Sequence, residues 1–316
     1  MAPGVDMEDN AGFFARDAAF WKNYEKGRPP VPQSFFDRVF GYHEAHGGSW
    51  HMVHDVGAGN APYMLQLHRR FRHVILSDVV PKNVELARAR VIDAGLDAED
   101  FTFRVARLEN NVDIGAGSID MVFATNVMHF PDPQQEGMAA ISAQLRPGGT
   151  FAAAAFGPAR FDDPALQHLW TRMGYEGGRQ LLKSSTEVAR ASSIRVMGRT
   201  QGSYNVAPLN PEDWQPGSQR IHINMANGGI QAILPPELAD LPREPNFTGR
   251  DDETIHTAEE GWGFEWSLQE VKDHMASFPF ISQFPAAHSG NLAELETLRG
   301  PFKGSFPVKI ILATRR

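Results

Sequence analysis

Cysteine is absent from the 316 residues, which removes disulfides, thiolate zinc sites and cysteine nucleophiles together. Metal chemistry would have to come from the 12 histidines and the carboxylates. Positive charge is not in excess either: 30 lysines and arginines stand against 38 aspartates and glutamates, a balance of −8. Such a chain offers no broad basic surface to a phosphate backbone, so nucleic acid is not an expected partner. No uncharged apolar run approaches the roughly 18 residues of a membrane span, and none is expected. The first thirty residues carry Asp6, Glu8, Asp9, Arg16 and Asp17 and do not read as a secretory leader. A soluble, cytoplasmic protein is the expectation, monomeric or homodimeric. With 42% hydrophobic and 22% charged residues, the chain falls in the globular class, long enough for one large α/β domain with a sizeable insertion.

Between about 50 and 155, short β-rich runs alternate with helical runs, the pattern of crossover units on a parallel sheet. Strands are expected at 51–56, 73–77, 101–105, 119–125 and 150–156, and helices at 62–70, 81–93 and 134–145. Pro62 suits a first helical turn. Val84, Ala87, Val91 and Ile92 fall on one face of the second helix, with Gly95 as terminator. The run 119–125 is almost continuously apolar, as in a parallel strand covered on both faces. Propensity favours helix for the alanine-rich 150–156; the alternation makes it a strand. Beyond 157 the order is harder to read, with proline and glycine crowding 202–250. There, 166–191 reads as mostly helical, 267–277 as a helix opened by a Ser267/Glu270 capping box, and 307–314 as a terminal strand. Residues 1–48 read as helical, with Phe13, Phe14, Phe20, Trp21, Phe35, Phe36 and Phe40 as apolar contacts.

The run Asp55, Val56, Gly57, Ala58, Gly59, Asn60, Ala61, Pro62 closes the first strand and leads into a helix. Two glycines permit close backbone approach to a ligand, and a carboxylate at the strand end can hold an ammonium or hydroxyl; a plain structural turn is the alternative. Asp78 follows about twenty residues on, at the end of the second strand, where nucleotide-binding sheets present a carboxylate to ribose hydroxyls. His43, His46, His51 and His54 straddle a loop and a strand without paired spacing, which favours packing or exposed histidines over a metal site.

In the order of these motifs the sequence resembles the class I S-adenosylmethionine-dependent methyltransferases. DVGAGNAP is similar to their first motif, with Ala61 where a third glycine is usual, and Asp78 matches their ribose-binding acid. ARLENN (106–111) resembles the segment flanking the adenine, GSIDMVFATNVMHF (117–130) the fourth strand and the loop beneath the methionine moiety, and LRPGGTF the turn before strand five. YEKGRPPVP from Tyr24 and MHF at 128–130 look most like the small-molecule branch around trans-aconitate methyltransferase. The resemblance covers about 50–156 and the tail PVKIILATRR, similar to the family's last, antiparallel strand.

What it implies is a Rossmann-like, seven-stranded mixed sheet with helices on both faces: an N-terminal helical lid (1–48), a cofactor-binding core (49–156), an inserted acceptor-pocket region (157–277) and C-terminal strands (278–316). It implies S-adenosylmethionine as cofactor, held by Tyr24, Arg28, Asp55, Gly57, Ala58, Gly59, Asn60, Asp78, Val79, Leu108, Glu109 and Asn126, with no metal, and a small-molecule acceptor methylated at oxygen. His129 is the candidate base, with a packing or substrate-contact role as alternative. Arg28 suits a bidentate carboxylate of cofactor or acceptor; a surface position for Tyr24 and Arg28 is the alternative. Trp21, Trp262, Phe264 and Trp266 either wall an acceptor pocket or anchor the lid. A cyclase-type enzyme or a non-catalytic cofactor-binding module of the same fold stays open. A nicotinamide oxidoreductase is disfavoured by the missing third glycine and the lack of a tyrosine and lysine pair at helical spacing.

Overall fold

A computed structural model describes residues 18–225, 229–231, 233–241 and 244–316; Phe13 and Phe14 lie outside these. The centre is a sheet of strands β1 (Met52–Val56), β2 (His73–Asp78), β3 (Phe101–Val105), β4 (Ile119–Thr125), β5 (Leu145–Phe156), β7 (Gln219–Ile223), β8 (Glu253–Thr257) and β11 (Val308–Thr314), in the order β3-β2-β1-β4-β5-β11-β7-β8. β11 runs antiparallel to both its neighbours, β5 and β7, while the other pairings are parallel. The Rossmann-like mixed sheet with an antiparallel last strand is thus as expected. Its size is not: the sheet has eight strands rather than seven. The eighth, β8, reads ETIHT and is largely exposed, so it carries none of the apolar signal that marks an interior strand.

The continuous apolar character of β4 follows from two cores. Met121 and Phe123 join the cluster on one face of the sheet, and Val122 and Ala124 the cluster on the other. β11 divides in the same way, Ile310 and Leu312 against Ile311 and Ala313. In β5 the register pairs Ala152, Ala153 and Ala154 with β4 and β11 on either side, so burial between two strands overrides alanine's helical propensity. The helix at 81–93 buries Asn83, Val84, Ala87 and Val91. Ile92, expected on that face, points to solvent because it follows Val91 by about 100° of helical rotation.

Ten helices are described: α1 (Ala18–Gly27), α2 (Gln33–Ala45), α3 (Met64–His68), α4 (Pro81–Asp93), α5 (Gln134–Gln144), α6 (Pro164–Ser184), α7 (Glu187–Arg199), α8 (Leu268–Ala276), α9 (Pro279–Gln283) and α10 (Pro285–Leu295). The stretch expected to be helical at 166–191 is two helices, with Asp163 and Thr186 capping them by accepting from Leu166 N and Ala189 N. α6 runs unbroken through Gly174, Gly177 and Gly178, and two of these glycines serve packing: a Cβ on Gly177 would lie 2.2 Å from the Phe280 ring, and one on Gly178 1.9 Å from Ile233 O. α8 begins at the capping box read from sequence, with both its hydrogen bonds formed. β6 (Arg160–Phe161), β9 (Gly263–Trp266) and β10 (Phe302–Ser305) make a second, three-stranded sheet. Among the described residues no helix is long and apolar enough to cross a membrane.

Candidate active site

β1 carries Asp55 to the carboxyl end of the sheet and turns at once. Gly57 and Gly59 adopt φ of 65° and 57°, the left-handed region that a side chain enters only at a cost. Neither has room for one: a Cβ on Gly57 would meet Val127 Cγ2 at 2.3 Å, and one on Gly59 the Trp21 ring at 2.8 Å. Ala61, at the position of the third glycine, takes the same region with φ 55°, so the turn keeps its course despite the substitution. Ala58 N donates to Ser77 O at 2.9 Å and ties the turn to β2.

β2 delivers Asp78 beside it. The Asp78 carboxylate accepts from Gly59 N and Val80 N at 2.9 Å each and from Asn83 Nδ2 at 3.1 Å. Burial pushes its pKa up against these hydrogen bonds. Asp55 differs: both its oxygens are buried without a hydrogen-bond partner. Burial, and then the neighbouring Asp78, push its carboxyl well above the ordinary range.

The N-terminal helix closes over this turn. Trp21 Nε1 donates to Asn83 Oδ1 at 3.0 Å. Asn60 Nδ2 donates to Glu25, which Arg90 also grips, with Nη2 at 2.7 Å from Oε2. α1 is held in turn by α8, through Lys26 Nζ at 2.7 Å from Asp273 and His274 Nδ1 at 2.6 Å from Gly27 O. Arg28, just past α1, lies between two rings, 4.5 Å above Tyr24 and 3.9 Å above Phe278. Its Nε is buried without an acceptor, and no carboxylate pairs with it among the described residues. Tyr63, which sequence reasoning missed, sits within electrostatic reach of Tyr24, Asp55 and Arg28, and burial first of all pushes its phenol pKa up.

After β4 the chain turns at Asn126 (φ 55°), whose Oδ1 accepts from Phe156 N at 2.8 Å. Two residues after Val127, which covers Gly57, stands His129, with Nδ1 3.1 Å from the Tyr204 hydroxyl. Burial and the Arg199 charge push the imidazole down to about 3, so it is neutral at physiological pH. Leu108 packs at the rim of the second core, Glu109 is 3.4 Å from Arg107, and Val79 is exposed.

The other candidates separate. Trp262 packs with Phe35 and Phe156, whereas Phe264 stacks on Trp266 at 3.8 Å against Phe161 and Phe306. With Trp21 on the glycine turn, the four aromatics form three separate groups, not one wall. His43 is engaged by Thr150 and Ser49 O, and His54 by Gln144 and Ser77, all within 2.8 Å.

Sheet order, glycine turn and paired strand-end acids together define the class I methyltransferase fold. A family model described as a methyltransferase domain matches residues 53–149. Methyltransferase AacuQ of Aspergillus aculeatus is 50% identical over 313 residues, 98% of this chain and 97% of that protein. Methyltransferase tpcM of Aspergillus fumigatus is 48% identical over 313 residues, 98% and 96% of the two chains. A solved structure assigned as a type II methyltransferase, from Anaeromyxobacter dehalogenans, shares the fold with a TM-score of 0.52 at 18% identity, covering 91% of this chain and 97% of that one. The chain belongs to the methyltransferases, and its methyl donor is S-adenosylmethionine.

Proposed function

We propose that the protein methylates a small molecule at an oxygen, a carboxylate or hydroxyl, by in-line displacement. The observation that carries the donor site is a pair of unmatched groups: a buried Asp55 carboxyl with nothing to accept from, and an Arg28 guanidinium without an anion, both acting on Tyr63. An α-amino acid zwitterion, the methionine end of the donor, complements both, its ammonium facing Asp55 and its carboxylate Arg28 and Tyr24. Gly57, Ala58, Gly59 and Asn60 give the backbone approach, Asp78 and Val79 face the ribose, and Leu108 and Glu109 flank the adenine. Asn126 holds the turn beneath the methionine moiety.

S-adenosylmethionine supplies a methyl group already activated by the sulfonium charge. The protein's part is alignment and exclusion of water, which the α1 lid and the Trp21 contact on Gly59 provide. His129 stands at the acceptor. An acceptor that ionises unaided needs no base, and an imidazole pushed down to about 3 is a weak one. The test is to incubate the protein with methyl-labelled donor and a panel of small carboxylic acids and phenols. Label in an ester or ether is expected; label only in amines or thiols overturns the oxygen assignment, and saturable binding of NADH in place of the donor overturns the donor site.

A further inference from the structure

We propose that Tyr204 is a positioning residue for His129, fixing the imidazole in the tautomer that carries its proton on Nε2, so that the ring meets the methyl acceptor as a hydrogen-bond donor. The inference rests on the placement of His129 at the acceptor, and deepens it.

The Tyr204 hydroxyl lies 3.1 Å from His129 Nδ1, in the interior, where the phenol is almost wholly buried. Among the described residues, Nδ1 is the one hydrogen-bond acceptor within reach of that hydroxyl. A phenol oxygen has one hydrogen to give and two lone pairs to fill. A phenol hydrogen turned away from Nδ1 would be buried without an acceptor, so it is given to Nδ1, and burial, which pushes the phenol pKa up, keeps it on the oxygen. A neutral imidazole that accepts at Nδ1 carries its own proton at Nε2. His129 is half-buried as a residue, and its Nε2 has no hydrogen-bond partner among the described residues.

The loop that carries the ring is held from the same stretch of chain. Arg199 donates from Nη1 to His129 O at 3.3 Å and to Pro131 O at 2.7 Å. Gln134 Nε2 donates to Met128 O at 2.8 Å and Pro131 O at 3.0 Å, while Ala207 N donates to Gln134 Oε1 at 3.0 Å. Residues 199–207 thus fix both the backbone of the loop and the proton of its imidazole. A ring so fixed orients the acceptor and does not take its proton.

The test uses the full chain labelled with 15N-histidine, without donor or acceptor, and assigns His129 by its loss in His129→Gln. Wild type is expected to show a bare Nδ1 and a protonated Nε2; Tyr204→Phe is expected to lose that fixed tautomer. Turnover by Tyr204→Phe should fall in kcat by about tenfold, as for a misoriented active-site group, with donor Kd unchanged. A protonated Nδ1 in wild type overturns the proposal whatever becomes of the variant, as does an unchanged tautomer in Tyr204→Phe. Should the tautomer be as stated while His129→Gln turns over normally, the donor role falls with the placement of His129, and only the pairing survives.

Discussion

Trp21 donates its indole N–H to Asn83 at 3.0 Å across a separation of 62 residues, and Asn83 passes the contact on to Asp78. The lid and the acid at the end of β2 therefore belong to one hydrogen-bonded chain, in which a change at the first member reaches the third.

Trp21→Phe keeps the ring but breaks this chain. The loss of one buried hydrogen bond, about 0.5–1.5 kcal/mol, should raise the Kd for S-adenosylmethionine by roughly threefold to tenfold, read by calorimetry. An unchanged Kd would mean that the lid and Asp78 act independently.

The glycine turn can be tested against an internal control. Gly57→Ala and Gly59→Ala each place a Cβ into a neighbour, at 2.3 Å and 2.8 Å, whereas Gly148, at φ 79°, has nothing within 4 Å. All three incur left-handed strain of about 1 kcal/mol. Only the first two should also lose donor affinity, by about tenfold or more, while Gly148→Ala shows the stability loss alone in thermal unfolding.

Asp55→Asn removes a buried acid that lacks a partner. The protein without donor should unfold at the same or a higher temperature, since an unmatched buried carboxyl is costly, while donor affinity falls. Burial holds the Asp55 carboxyl well above its ordinary range, so it must ionise to face an ammonium. Wild-type affinity should therefore climb with pH from the acid side, and Asp55→Asn should abolish that slope.

Acid lability should follow from buried histidines. Burial pushes His54 down to about 4, and pushes His129 and His274 down to about 3. The unfolded chain binds a proton at each below about 6.5, and the folded chain does not until these lower values. Stability is therefore fully present above about 6.5 and declines as pH falls toward about 4, with His54 alone contributing about 3 kcal/mol across that window. Unfolding midpoints measured against pH should show the decline, and His54→Gln should lessen its steepness by about one proton's worth. Identical steepness would exclude His54.

What could be read in the sequence was what local pattern controls. The strands at 101–105 and 119–125, the helix at 81–93 and the Ser267/Glu270 box match because periodicity and caps act within a few residues. β7 and β8 escaped notice because Arg220, His222, Glu253 and His256 interrupt them. Arg220 is buried all the same, satisfied by Asp252 and the carbonyls of Val206, Ala207 and Phe247, partners that only the folded chain assembles. The site divides in the same way. Asp55, Gly57, Gly59 and Asp78 are set by spacing along two adjacent strands, whereas Asn83 and Tyr204 act on residues 62 and 75 positions away, and Tyr63 comes within electrostatic reach of Arg28 only in the folded chain.

The stretch that clamps the His129 loop, 199–207, is continuous with the one that widens the sheet. Arg220 in β7 binds the carbonyls of Val206 and Ala207, and β8 lies against β7. The segment from α7 through β8 is therefore exchangeable between relatives only as one cassette; a shorter graft would leave an arginine stranded in the interior and the border of the sheet unmatched.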